Sequence, residues 1–344
     1  MRRILVTLVC LFGVLGTQSA EAGWRDYVSP TRNWQRVKGC CRSVVAGTEA
    51  YCRGKVEKAK ADQEKMWGLK LPENYDARRP LVVLIHGLDS HSGVWWSMAQ
   101  LLQGEGYQVG YFGFPSDGPI AGDASRLADD MAALHRAFPA ARVSLIGHSM
   151  GGLIARAYIE GDRYTQPIDH FIALGPPNHG SPWTRERFLL EANEQYWLWR
   201  INPDWSPIWM FTDGHGEAAD DLKPDSKFLA ALNDRPRRAG VQYTIVMGDH
   251  HVLARFAGNT VGSMEACFSK RVWGLRRCRA GLERVETKLA DCKGDSDGVV
   301  PVASARLAGV ADVVLLHADH NTLAMAADGK PPVAWGVIRD RLGK

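Results

Sequence analysis

Five consecutive apolar residues, Leu81-Val82-Val83-Leu84-Ile85, follow the polar stretch Arg78-Arg79-Pro80 and stop at His86-Gly87. An unbroken run this short and this rich in β-branched residues suits a strand covered on both faces, as in a parallel sheet, where no solvent side imposes alternation. The pattern then repeats. A helical period over about 93–104 leads to an apolar segment at 107–114, and an amphipathic period over about 120–137 leads to a strand at 142–146. Helix formers after Gly151 lead to Phe171-Ile172-Ala173-Leu174, and further strands are expected at 241–247 and 312–316. Strands alternating with helices predict an α/β fold built on a mostly parallel, doubly wound sheet, with functional groups at the carboxyl ends of the strands.

Two stretches break this rhythm. Residues 182–240 carry Trp183, Trp197, Trp199, Trp205 and Trp209, five of the chain's 12 tryptophans, between two expected core strands. Large apolar area with one polar handle suits a cap or lid with an acyl-binding underside, and it equally suits a helical subdomain with its own core. Residues 249–293 hold three cysteines and the basic group Lys270, Arg271, Arg276, Arg277 and Arg279, which reads as a stapled, solvated loop or as a contact for anionic head groups. Ahead of the sheet, residues 23–75 form a polar accessory lead-in with an expected helix near Glu49 to Trp67, and the main domain is expected over 76–344.

The first residues add an address. Met1-Arg2-Arg3 precedes an apolar run from Ile4 to Leu15 and then Ala20-Glu21-Ala22. A basic start, an apolar stretch too short for about 30 Å of hydrocarbon and a small-x-small site make residues 1–22 a signal peptide cleaved before Gly23, so export to the periplasm or medium is expected. Cys10 would leave with it, and Cys40, Cys41, Cys52, Cys267, Cys278 and Cys292 remain. An even number of cysteines in an exported chain points to disulfides, within each cluster of three and across them by at least one bridge. Neither cluster shows the paired spacing of a zinc site, and no metal or cofactor is expected. Over the whole chain, 45% hydrophobic and 23% charged residues exclude collagen-like, coiled-coil and largely disordered classes. The net charge of +4 on 344 residues gives no electrostatic case for a nucleic-acid partner.

Candidate chemistry starts at Gly147-His148-Ser149-Met150-Gly151-Gly152, where an expected strand ends and a helix begins. This fits G-x-S-x-G, a sharp turn that projects a serine hydroxyl from the top of a sheet, with Gly147 and Gly151 leaving room for the backbone and His148 between strand and serine. A serine hydroxyl is a weak nucleophile and needs a base, which in turn needs a carboxylate to fix its tautomer and stabilise its cation. Gly294-Asp295-Ser296-Asp297-Gly298-Val299-Val300-Pro301 offers Asp297, with Asp295 as the rival. Leu316-His317-Ala318-Asp319-His320 offers His320, deeper in its loop, with His317 as the rival. Two main-chain N–H donors for an oxyanion are expected from Met150, the residue after the serine, and from Leu88 in the loop after the first core strand.

His86-Gly87-Leu88, the 147–152 turn, Asp297-Gly298-Val299-Val300-Pro301 and His320 together resemble an α/β-hydrolase of the lipase and esterase type. The likeness is more narrowly to bacterial class 2 lipases and to the lipase-like domain of GPI inositol-deacylases. Ala173 to Ser181 and Asp221 to Leu229 match the same pattern, and the resemblance covers about residues 78 to 330. It implies cleavage of carboxylic, lipidic esters by Ser149, His320 and Asp297 through an acyl-enzyme. The ligand would be a small-molecule or lipid ester, reached at a membrane or lipid interface. The same triad would also serve an acyltransferase or thioesterase, and a binding protein on a retained scaffold is the alternative of another class.

Overall fold

The computed structural model describes residues 67–88, 90, 92–115, 118–182, 217–250, 295–327 and 329–343, all within one compact unit over residues 63–344. The expected signal peptide, the lead-in up to residue 66, most of both insertions and every cysteine lie outside the described residues.

Seven strands form one sheet: β1 (Gly68–Lys70), β2 (Leu81–Ile85), β3 (Gln108–Gly113), β4 (Val143–His148), β5 (Ile168–Leu174), β6 (Gln242–Gly248) and β7 (Val313–Leu316). Their order is β1-β3-β2-β4-β5-β6-β7, parallel throughout except for the antiparallel edge pair β1–β3. The α/β sheet expected from the sequence is therefore present. β1 lies inside the stretch read as lead-in, because a three-residue edge strand shows no apolar period.

The helices are α1 (Trp96–Gly104), α2 (Ile120–Ala137), α3 (Met150–Ile159), α4 (Glu217–Asp221), α5 (Lys227–Asn233), α6 (Val302–Ala305) and α7 (Trp335–Leu342), with a 3-10 turn at Ser92–Trp95. Alternation along the strands sorts the core into two layers. Leu81, Val83 and Ile85 of β2 join Leu145, Phe171 and Ile245 under α2, α3 and α5. Val82 and Leu84 join Ile146, Ile172 and Val246 under α1 and α7. The continuous apolar run of β2 is thus two interleaved faces, each fully covered, as a central parallel strand requires.

α4 and α5 fall in the stretch read as cap, yet Ala218, Leu222, Leu229 and Leu232 are buried in the same layer as α2 and α3. The Asp221 carboxylate accepts from the Ile120 N–H (2.9 Å) and so serves the first turn of α2, where Pro119 offers no side-chain cap. This part of 182–240 belongs to the body of the fold. At five and seven residues, its two helices are too short to declare an amphipathic period in the sequence.

Chain order reverses at β2: β3 lies on one side and β4 on the other. In a doubly wound sheet the crevice at the carboxyl ends of such strands is where ligands bind. The loop after β2 and the turn after β4 meet there.

Candidate active site

Ser149 follows β4 directly, with φ 54° and ψ −124°, and among the described residues it is the one non-glycine at positive φ. Its main-chain N–H donates to the Leu174 carbonyl (2.8 Å), which ties the turn to the end of β5. The flanking glycines are steric necessities. A Cβ on Gly147 would stand 2.5 Å from the Gly152 nitrogen, and one on Gly151 would stand 2.3 Å from the His86 carbonyl oxygen. The turn therefore packs backbone on backbone, against itself and against the end of β2. The serine side chain stays partly exposed while Met150, which opens α3, is fully buried. First-turn N–H groups of a helix have no intrahelical partner, so Met150 is available as a donor at this point of the fold.

The loop after β2 lies over the serine. A Cβ on Gly87 would be 3.2 Å from the Ser149 Cβ and 3.4 Å from His148 Nδ1. His86 anchors that loop: its ring stacks on Phe114 with centroids 4.1 Å apart and planes at 6°, and its Nδ1 lies 2.9 Å from the Gly87 carbonyl. Leu88 follows, half-buried and packed against the core.

Across the crevice, His320 Nδ1–H donates to Asp297 Oδ2 at 2.7 Å, with both residues buried. The bond occupies Nδ1 and leaves Nε2 as the nitrogen for other work. The other carboxylate oxygen, Asp297 Oδ1, accepts from the N–H groups of Val299 (2.9 Å) and Val300 (2.7 Å), so the acid is fixed by its own turn. The His320 main-chain N–H donates to the Asp297 carbonyl (3.0 Å). The loop bearing His320 is closed by Asp319, whose Oδ1 accepts from Asn321 and Thr322 N–H and whose Oδ2 accepts from the Thr322 hydroxyl. The rivals sit elsewhere. Asp295 is exposed, and its carbonyl accepts from the Val302 N–H. His317 is exposed, with Nδ1 2.9 Å from an Asp249 oxygen and its ring tilted on His250.

His148 is 4% exposed and makes contact with the loop bearing His320, its Nε2–H donating to the His320 carbonyl at 2.9 Å. Burial, and after it the neighbouring His320, push its pKa down to about 3, so it is a neutral imidazole.

Sequence reasoning passed over several residues that shape this site. A Cβ on Gly175, at φ 56°, would stand 2.9 Å from Asp297 Oδ2 and 3.0 Å from His320 Nδ1. One on Gly248, at the end of β6, would stand 2.8 Å from the Asp297 Cβ. The Asp297–His320 pair thus fills the space two absent side chains would need. Asn178 and Ser181, in the loop after β5, hold the acid's turn and α6 by bonds from Asn178 Nδ2 to the Ala305 carbonyl (2.7 Å) and from the Ser181 hydroxyl to the Val299 carbonyl (2.7 Å). The signal was Ala173 to Ser181 itself, a glycine, two prolines and polar residues directly after a buried strand. Among the described residues no group of three or more His, Cys, Asp or Glu side chains is set to hold a metal ion.

A sequence profile of the alpha/beta hydrolase fold matches residues 80–205. The structure is similar to the mature form of a Bacillus licheniformis lipase, at 20% identity and TM-score 0.50, over 80% of this chain and 95% of that one. It is similar also to the propeptide form of the same lipase, at 19% identity and TM-score 0.50, over 75% of this chain and 50% of that one. At these identities the likeness speaks for the fold.

Proposed function

Taking as premise that this chain is an α/β-hydrolase in fold, we propose that it is a serine hydrolase that cleaves carboxylic esters, with Ser149 as nucleophile, His320 as base and Asp297 as the orienting acid. The observation that carries the reading is the buried Asp297–His320 pair, 2.7 Å between Oδ2 and Nδ1, on the same crevice as a serine held at positive φ. Such a turn is strained for any residue with a Cβ, and strain of this kind is kept where it presents a reacting group.

In this reading the Ser149 hydroxyl attacks the ester carbonyl and His320 Nε2 takes its proton. Asp297 stabilises the imidazolium that forms. The N–H groups of Met150 and Leu88 receive the oxyanion of the tetrahedral intermediate. On collapse, His320 returns the proton to the departing alcohol and leaves an acyl-serine. Water, deprotonated by the same nitrogen, then releases the acid and restores the serine. An alcohol or thiol in place of water at the second step would make the protein an acyltransferase, and a thioester in place of the ester would make it a thioesterase. The triad chemistry is common to all three.

Lipidic acyl esters are the substrate class favoured by the tryptophan-rich stretch that follows the Ala173 to Ser181 loop. The reading includes export by residues 1–22, so the mature chain begins at Gly23 and works in the periplasm or medium. An activated phosphonate with peptide mass mapping, beside a chain-length series of p-nitrophenyl esters, tests it. Labelling at Ser149 is expected, with turnover rising toward long chains. Ser149→Ala is expected to abolish labelling and lower turnover by ~10⁴-fold or more while the chain stays folded. Unchanged turnover in S149A overturns the assignment.

A further inference from the structure

His148 is peptide-bonded to the nucleophile, yet its side chain serves the base. Its Nε2 lies 2.9 Å from the His320 carbonyl oxygen. A carbonyl only accepts, so Nε2 carries the proton, and a neutral imidazole with Nε2–H has a bare Nδ1. The ring is wedged between elements: tilted on the His320 ring at 4.6 Å, met edge-on by Trp95 at 6.4 Å, with Nδ1 facing Gly87.

The consequence is that His320 is held at three separate points. Its Nδ1–H and its main-chain N–H both go to Asp297, on the turn that carries the acid. Its main-chain carbonyl goes to His148, on the turn that carries the serine. The first two bonds fix His320 relative to the acid and leave its distance from Ser149 to the packing of separate loops. The third ties the base loop to the residue next to Ser149 without passing through Asp297. A second positive charge here would repel the imidazolium formed during turnover, and both His320 and His86 bear on the ring in that sense.

We propose that His148 is a positioning residue that sets His320 in register with Ser149 through the His320 carbonyl. The role rests on the triad reading above. H148F and H148N remove the donor, since phenyl has none and the asparagine amide is too short to reach, whereas the amide of H148Q can replace Nε2–H. H148F and H148N are expected to lower kcat on a p-nitrophenyl ester ~10- to 100-fold, with KM within about twofold of the wild type. H148Q is expected to recover most of the loss. Thermal midpoints are followed in all three. Wild-type kcat in H148F or H148N, or kcat that tracks the midpoint with H148Q no better than the others, overturns the proposal.

A second readout needs no turnover. With ¹⁵N-labelled histidine, the His148 signal, assigned by its loss in H148Q, should report the neutral Nε2–H tautomer from pH 5 to 8. An Nδ1–H tautomer overturns the hydrogen bond itself, since Nε2 would then have no proton to give the carbonyl. Should the wild-type chain neither label with phosphonate nor turn over ester, the triad reading fails and the positioning role with it, even where the tautomer shows the bond in place.

Discussion

Ser149 carries the sharpest conflict between local preference and tertiary demand. At φ 54° and ψ −124° any residue with a Cβ costs roughly 1–3 kcal/mol, and only glycine visits such a backbone freely. On the proposed reading, serine stands there because the turn presents its hydroxyl to substrate. Ser149→Gly is therefore expected to stabilise the protein by about 1 kcal/mol, the relief of strain less glycine's greater unfolded freedom, while losing all ester turnover. Ser149→Ala keeps the Cβ and should stay within about 0.5 kcal/mol of the wild type. Urea unfolding of the two variants side by side checks this, and S149G no more stable than S149A would mean the strain is absorbed elsewhere. At this scale the sequence was legible where spacing has a steric cause. Gly147 and Gly151 are fixed by approaches of 2.5 and 2.3 Å to backbone, so the pattern around the serine could be read directly. Gly175 and Gly248 answer to close contacts too, but with residues about 50 to 145 positions away, and no local pattern announces that.

Between elements, a buried ionic network does what the Asp297–His320 bond cannot. Arg156, on α3 about two turns past the serine, is fully buried and donates to both Glu160 oxygens, to Asn178 and Asn233 Oδ1, and to the Leu232 carbonyl. Arg237 pairs with Glu160 at 2.9 Å. Burial pulls the Arg156 guanidinium down to about 10 and pushes the Glu160 carboxyl up, against their mutual attraction. The network thus costs desolvation, and what it secures is the joining of α3, the loop after β5, α5 and, through Asn178, α6 beside the acid. Removing Arg156 leaves Glu160 with Arg237 alone and takes the donor from Asn178 Oδ1, Asn233 Oδ1 and the Leu232 carbonyl. Arg156→Met is expected to lose ~3–5 kcal/mol in urea unfolding, with a fall in kcat as the Asn178 loop loosens. A loss under about 1 kcal/mol would show that the guanidinium is replaceable by packing alone. The main helices and strands were legible here, α2 over its whole length, because each carries an apolar period. β1, α4, α5, α6 and α7 were not, being too short or too polar to declare a period, and held by contacts distant in sequence.

At the scale of the molecule, two buried histidines couple the fold to pH. His148 is pushed down to about 3, and His170 on β5 is lowered in the same direction, both chiefly by burial. Above about pH 6.5 folded and unfolded chains alike keep His148 neutral, and pH has no purchase on it. Below that, the unfolded chain takes up a proton that the folded chain refuses until about pH 3. The unfolded state then binds more protons, so stability falls as pH falls through this window, by up to about 1.4 kcal/mol per pH unit for one such group. Urea midpoints between pH 7.5 and 5 should decline accordingly, and H148Q should flatten the decline. An equal slope in H148Q would assign the acid sensitivity to other groups.

By itself the sequence determined the alternating α/β architecture, the serine turn and a short choice of acids and bases, because period, glycine spacing and strand-to-helix junctions are local consequences of backbone geometry. The tertiary structure decided which choices meet. Asp297 is buried 2.7 Å from His320 while Asp295 and His317 face solvent, a difference set by how two loops cross the ends of β6 and β7. It also decided that residues 217–233 complete the core, that Gly175 makes room for the Asp297–His320 pair, and that His148 reaches the loop bearing His320. Each of these joins residues far apart along the chain, and such distances exist only once the sheet has formed.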